Sequence, residues 1–139
     1  MTTARDVMNT GVHCVGEDET LTRAAQIMRD EQVGALPICD TDGHLRGIVT
    51  DRDIVIRCVA SGQDIGSTKV SALAQGEPCC VQASSDIDEV LAEMESHQIR
   101  RLPVLEDDRL VGMISEADLA HHLSDERLAH FVEQIYADR

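Results

Sequence analysis

Two hydroxyl–carboxylate pairs, Thr50-x-x-Asp53 and Ser115-x-x-Asp118, carry the same spacing in two parts of the chain. A hydroxyl followed three residues later by an acid is the pattern of a helix capping box, here with Asp in place of the usual Glu. A cap of this kind contributes about 1 kcal/mol and needs no ligand. Arg100 and Arg101 place two guanidinium groups side by side, just ahead of Leu102-Pro103. Guanidinium groups bind anions in bidentate fashion, or else pair with surface carboxylates, of which this chain has many. Five cysteines (Cys14, Cys39, Cys58, Cys79, Cys80) read first as small buried residues. The six histidines are His13, His44, His97, His121, His122 and His130, and no Cys-x-x-Cys or His-Glu-x-x-His spacing joins them to a structural zinc motif. His97 ends one predicted helix and His121-His122 ends another. If those ends meet, His97 and His122 could hold a zinc ion with a cysteine or carboxylate completing the site. The alternative is a set of solvated histidines, favourable at helix C-termini. No Ser-His-Asp arrangement and no nucleophile elbow is present, so the expectation is a protein without catalysis.

The elements that position these residues come from an internal repeat. Shifted by 66 positions, Cys14-Val15 falls on Cys80-Val81, Met28 on Met94, Gln32 on Gln98 and Leu36-Pro37 on Leu102-Pro103. One residue then drops out between Asp40-Thr41-Asp42-Gly43 and Glu106-Asp107-Asp108. At an offset of 65, Gly47 matches Gly112, Ile48-Val49-Thr50 matches Met113-Ile114-Ser115, and Asp53 matches Asp118. The gap lies in a polar turn, where length is free to change. Each copy reads as β-α-β-β-α. Strands are predicted at Val12–Val15 and Cys79–Val81. Helical periodicity follows in Leu21, Ala24, Ala25 and Met28, and in Ile87, Val90, Leu91 and Met94. Hairpins are predicted from Ala35–Cys39 with Leu45–Val49, and from Leu102–Leu105 with Leu110–Ile114. Closing helices are predicted at Asp51–Ala60 and Glu116–Leu123.

These boundaries predict a first domain at 1–62, a linker at 63–77 and a second domain at 78–123. The linker spans Gly66 and Gly76 and has a short helical turn near Val70–Ala74. A C-terminal amphipathic helix at 124–139 carries Leu128, Phe131, Val132 and Ile135 on one face. That face packs on its own domain, on a second chain or on a partner.

Twelve basic against twenty-six acidic side chains give a net charge of −14, which repels phosphate backbones and argues against nucleic acid as a partner. Hydrophobic residues are 42% and charged residues 27%, a globular balance. No apolar run reaches the roughly 20 residues of a membrane span. The opening MTTARDVMNT lacks the apolar stretch of a signal peptide, which predicts a cytoplasmic protein. Phe131 and Tyr136 are the two aromatic residues, so base stacking on aromatic platforms is not expected.

The doubled segments Gly47-Ile48-Val49-Thr50-Asp51-Arg52-Asp53 and Gly112-Met113-Ile114-Ser115-Glu116-Ala117-Asp118 resemble the signature of the CBS domain family. Arg5-Asp6-Val7-Met8, Gly34-Ala35-Leu36-Pro37-Ile38 and Arg100-Arg101-Leu102-Pro103-Val104 add to the resemblance, which covers about residues 4–123. It implies an α/β fold of two pseudo-symmetric domains packed through their sheets as a Bateman module, followed here by the C-terminal helix. It also implies AMP- or ATP-like ligands in clefts between the domains. Asp53 and Asp118 would accept from ribose hydroxyls, and Thr50 and Ser115 would touch ribose or phosphate. Arg100 and Arg101 would hold phosphate, whereas Gly34-Ala35 leave the other cleft short of positive charge. In this fold the strands ending at Cys14 and Cys39 share a sheet, so the two form a candidate redox pair, with buried free thiols as the alternative.

The expected function is therefore a nucleotide-sensing regulatory protein, a homodimer whose ligand shifts its domain arrangement. The alternatives are a redox- or zinc-responsive protein with vestigial clefts, or a scaffold for an unknown protein partner.

Overall fold

The apolar runs and polar turns of the repeat become two sheets of identical order. The structure, a computed structural model, describes residues 1–74 and 78–137. The chain divides into two compact units, one of His13–Pro78 and one of Met1–Val12 with Cys79–Arg139.

In the first-copy unit, β1 (Val15–Gly16) runs parallel to β2 (Ala35–Cys39), which pairs antiparallel with β3 (Leu45–Thr50). In the second-copy unit, β4 (Val81–Gln82), β5 (Arg101–Glu106) and β6 (Arg109–Ser115) repeat that arrangement. Val15 pairs with Ile38, and Val81 with Val104, at the same place in the repeat. Each parallel pair needs a crossover, supplied by α2 (Leu21–Glu31) and α4 (Ile87–His97). Thr20 and Asp86 cap these helices, and Gln32 and Gln98 end them in the left-handed region at φ 56° and 51°. Leu21, Ala24, Ile27 and Met28 are buried on α2, and Val90, Leu91 and Met94 on α4, so the spacing of three and four is the core face.

Several boundaries differ from the sequence expectation. The opening strands are shorter than predicted, because only Val15–Gly16 and Val81–Gln82 reach a partner strand. The predicted helix Asp51–Ala60 is one α-turn, α3 (Asp51–Asp53), continuing as a π-helix over Ile54–Val59. Ala60 N–H accordingly donates to Val55 O, five residues back, at 2.9 Å. The run Ile54-Val55-Ile56 is β-branched, which lowers its preference for a regular α-turn. The closing helix of the second copy, α5 (Glu116–Ala120), stops short of Leu123.

The first twelve residues, placed by sequence in the domain at 1–62, fold with the second-copy unit. The short helix α1 (Ala4–Val7) buries Ala4 and Val7 in that unit's core. Ala4 N–H donates to Ser85 O at 2.7 Å, and Asn9 and Met113 exchange backbone bonds of 2.8 and 3.1 Å. The 3₁₀ segment Val70–Leu73, 66 residues on, is buried in the first-copy core in the same way.

The segment expected as a linker is tied to the first-copy unit. Its 3₁₀ helix Val70–Leu73 buries Val70 and Leu73, and Val70 N–H donates to Glu19 O at 2.8 Å. Gly76 lies outside the described residues. The tail forms α6 (Asp125–Ile135), capped by Ser124, with Phe131 and Ile135 buried in the second-copy core. It packs on its own unit, while residues 138–139 of the predicted helix lie outside the described ones. Among the described residues no helix is long and apolar enough to cross a membrane.

Gly112 marks where the N-terminal segment crosses β6. A Cβ there would lie 2.6 Å from Met8 Sδ and 3.0 Å from Asn9 O. Gly112→Ala is expected to destabilise the protein by about 1–3 kcal/mol through overpacking. Urea denaturation measures the loss, and amide exchange at Met113 should accelerate as its bond to Asn9 opens. Gly47→Ala, whose Cβ would meet Ala74 Cβ at 3.1 Å, is the milder control.

Candidate functional site

Antiparallel pairing sets Arg101 opposite Ser115, so the β5–β6 hairpin carries the arginine pair to the start of α5. There Arg100, Arg101, Ser115, Glu116 and Ala117 line a cleft of about 200 Å³. Asp118 is held just behind it. Its Oδ2 accepts from Ser115 N–H at 2.9 Å and Ser115 Oγ at 3.0 Å, while Asp118 N–H donates to Ser115 Oγ at 3.4 Å. Thr50 and Asp53 form the same box in the first-copy unit, with both bonds at 3.1 Å. The capping chemistry read from sequence is thus made at both sites. It uses one carboxylate oxygen of each aspartate, and Oδ1 has no bond among the described residues.

Arg100 and Arg101 form no ion pair with a carboxylate among the described residues. Arg100 Nη1 instead donates to Tyr136 Oη at 3.4 Å, and that hydroxyl donates to Glu116 Oε1 at 3.3 Å. Sequence reasoning missed Glu116 and Tyr136. The available signals were the position of Glu116 inside the capping box and the scarcity of aromatics.

The first-copy unit differs at each of these positions. Ala35 stands opposite Thr50 where Arg101 stands opposite Ser115. The Asp51 carboxylate lies 3.1 Å from where a Cβ on Gly34 would be. The neighbouring cleft, about 320 Å³, is lined by Asp51, Arg52, Val55 and Ile56. One unit therefore offers two cations facing a hydroxyl, and the other an acid, one arginine and an apolar wall.

His97 comes together with Cys79 and Glu93, and not with His122 as the sequence suggested. One ligand atom from each of the three lies within 4.8 Å of the others. Glu93 and His97 share a helix face one turn apart. Cys79 Sγ donates to Glu93 Oε2 at 3.0 Å and lies 3.6 Å from His97 Nδ1. Burial first, and then the bond to Glu93, push the Cys79 thiol up to about 12. The His122 ring turns back onto its own helix, with Nδ1 2.9 Å from Asp118 O. The Glu93-x-x-x-His97 spacing was the signal for this group. Sulfur, nitrogen and carboxylate donors suit zinc, and three of them leave a fourth position for water or another ligand. A second group, Asp40, Asp42 and His44, occupies the β2–β3 turn. There the Asp40 carboxylate already accepts from His44 and Asp42 N–H groups and pairs with Arg46 at 3.0 Å.

Cys14, just before β1, and Cys39, the last residue of β2, are free thiols. Cys14 is exposed and Cys39 is buried. The bond from the Cys39 thiol lowers the pKa of Cys14, stabilising its thiolate. The same bond, together with burial, raises Cys39. The thiolate is the reactive form. Iodoacetamide is therefore expected to alkylate Cys14 before the other cysteines, with a pH profile displaced below that of an ordinary thiol. Cys39→Ala should return the profile to the ordinary range, as peptide mass mapping of the modified protein would show.

The CBS domain profile matches residues 4–59 and 70–125. The chain is 52% identical over 135 residues to Hypoxic response protein 1 of Mycobacterium tuberculosis, covering 97% of this chain and 94% of that one. A crystal structure of Hypoxic Response Protein I with two coordinated zinc ions is 54% identical, with a TM-score of 0.82, over 88% of this chain and 100% of that one. CBSX2 in complex with AMP, 22% identical, shares the fold with a TM-score of 0.75, over 87% and 95% of the two chains.

Proposed function

This chain belongs to the CBS domain family, and from that premise we propose that it is a regulatory module that senses an adenine nucleotide and performs no catalysis of its own. The observation that carries the reading is the second-copy cleft. In a chain of net charge −14, two arginines without a carboxylate partner among the described residues line one cleft with Ser115. Arg100 and Arg101 hold the phosphate by charge-assisted hydrogen bonds, and Ser115 Oγ adds a neutral partner. Asp118 offers its remaining oxygen to a ribose hydroxyl, a carboxylate being acceptor-only. Thr50 and Asp53 offer the same sugar contacts in the first-copy unit, without a cation pair for phosphate. The AMP complex of CBSX2 supports this class of ligand. The likeness to Hypoxic response protein 1 supports a role in the response to low oxygen.

Isothermal titration of reduced, metal-free protein with AMP, ADP and ATP tests the reading, alongside Asp53→Ala and Asp118→Ala. Micromolar binding lost in Asp118→Ala supports it. No heat with any nucleotide makes both hydroxyl–carboxylate pairs helix caps and ends it. The same proposal expects a homodimer. Val55, Ile56 and Val59 stand half exposed on the π-helix, at 55%, 50% and 55%, an apolar face that a second copy would cover. Sedimentation equilibrium reads the mass, and Val59→Asp should dissociate the dimer.

A second reading is favoured by the Cys79, Glu93 and His97 group, together with the two zinc ions of the 54% identical structure. In that reading these three side chains hold a zinc ion, which contributes stability to the second-copy unit and draws the Cys79 proton off. Zinc should raise the melting temperature of the chelator-treated protein, and Cys79→Ser with His97→Ala should abolish the rise. A rise unchanged in the double variant would remove this site.

A further inference from the structure

The second-copy cleft contains an internal conflict. Glu116 lines it along with Arg100 and Arg101. A carboxylate beside two guanidinium groups is a ready ion-pair partner, and would occupy the charge that an anionic ligand needs. Yet neither arginine is paired with it. What stands between Arg100 and Glu116 is the Tyr136 hydroxyl, which accepts from Arg100 Nη1 at 3.4 Å and donates to Glu116 Oε1 at 3.3 Å. A phenol is both donor and acceptor, so one oxygen satisfies both neighbours while keeping them apart. Phenylalanine could not do this.

Tyr136 is also firmly placed. It follows α6 directly, and its N–H donates to Val132 O at 3.2 Å. Ile135, immediately before it, and Phe131, five residues before it, are fully buried in the second-copy core. Arg127 pairs with Glu95 at 2.8 Å, and Gln98 Nε2 donates to Gln134 O at 3.2 Å, so the helix is fastened to α4 along its length. The tail lies outside the repeat, and the first copy has no counterpart to it.

We propose that Tyr136 is a positioning residue for anion binding: its hydroxyl holds Glu116 off Arg100, leaving the guanidinium available to a phosphate. This deepens the nucleotide reading and rests on it. Removing the hydroxyl lets Arg100 collapse onto Glu116, and ligand affinity falls even though no ligand contact has been deleted.

The test is a double-mutant cycle read by AMP titration on the full chain. Tyr136→Phe is expected to weaken AMP binding about three- to tenfold, the range of one hydrogen bond. In a Glu116→Gln background there is no carboxylate for Arg100 to fall onto, so adding Tyr136→Phe should change affinity less than twofold. That rescue separates positioning from a general loss of packing, which Glu116→Gln would not repair. Equal weakening in both backgrounds, or no weakening in either, overturns the inference while leaving the nucleotide reading intact. Wild-type protein that binds no AMP overturns both.

Discussion

Replacing both Arg100 and Arg101 with alanine should weaken AMP binding by about 100-fold or more. A hydrogen bond to a charged group contributes roughly 1.5–3 kcal/mol, and each factor of ten in affinity is about 1.4 kcal/mol. Two such groups on one phosphate therefore account for at least two decades. Titration calorimetry measures the loss, and the melting temperature supplies the control. Neither arginine is ion-paired to a carboxylate among the described residues, so stability should change little. Wild-type affinity should fall as salt is added, and that dependence should flatten in the double variant. Arg52→Ala, in the first-copy cleft beside Asp51, should leave AMP affinity within about twofold of wild type. A double variant that binds AMP as wild type does would remove the cleft from the reading.

Phe131→Ala should destabilise the second-copy unit by about 3–5 kcal/mol, the usual cost of truncating a fully buried phenylalanine. Phe131 has 0% exposure and belongs to the same core as Leu91, Met94, Leu102 and Ile114. Urea denaturation followed by circular dichroism should show the second-copy unit melting early, with the transition of residues 13–78 little changed. A two-unit chain need not unfold in one step, so the two transitions are to be fitted separately. The same variant should lose AMP affinity, because α6 carries Tyr136 to the cleft. A small stability change would mean that α6 is not the buried lid of that core.

Most of the architecture was legible because the repeat gives two independent readings of each element. Met28 and Met94, or Gln32 and Gln98, mark the same helix face and the same helix end twice. What the repeat could not reveal lay where the copies differ. The π-helical Ile54–Val59 has no counterpart in the short α5, and α6 lies outside the repeated stretch. The site was legible in part. The capping boxes and the arginine pair follow from spacing and from their place beside a predicted strand. The company each residue keeps depends on contacts between distant segments. Cys79 meets His97 only through the packing of β4 against α4, and Tyr136 meets Arg100 only through the docking of the tail. Both histidines close helices and set Nδ1 against a backbone carbonyl four residues back, but only His97 has a cysteine and a carboxylate beside it among the described residues.

Because Met1–Val12 complete the second-copy unit, residues 13–78 are inserted between two pieces of it. A chain emerging from the ribosome delivers α1 first but the strand and helix that receive it last. At about 5–20 residues per second, Ala4 and Val7 wait roughly 5–22 s for α4 and β6 to be synthesised behind the inserted unit. During that interval the inserted unit is free to fold on its own, whereas the opening segment is exposed to proteases and chaperones. Synthesis order alone therefore makes residues 13–78 the unit that matures first.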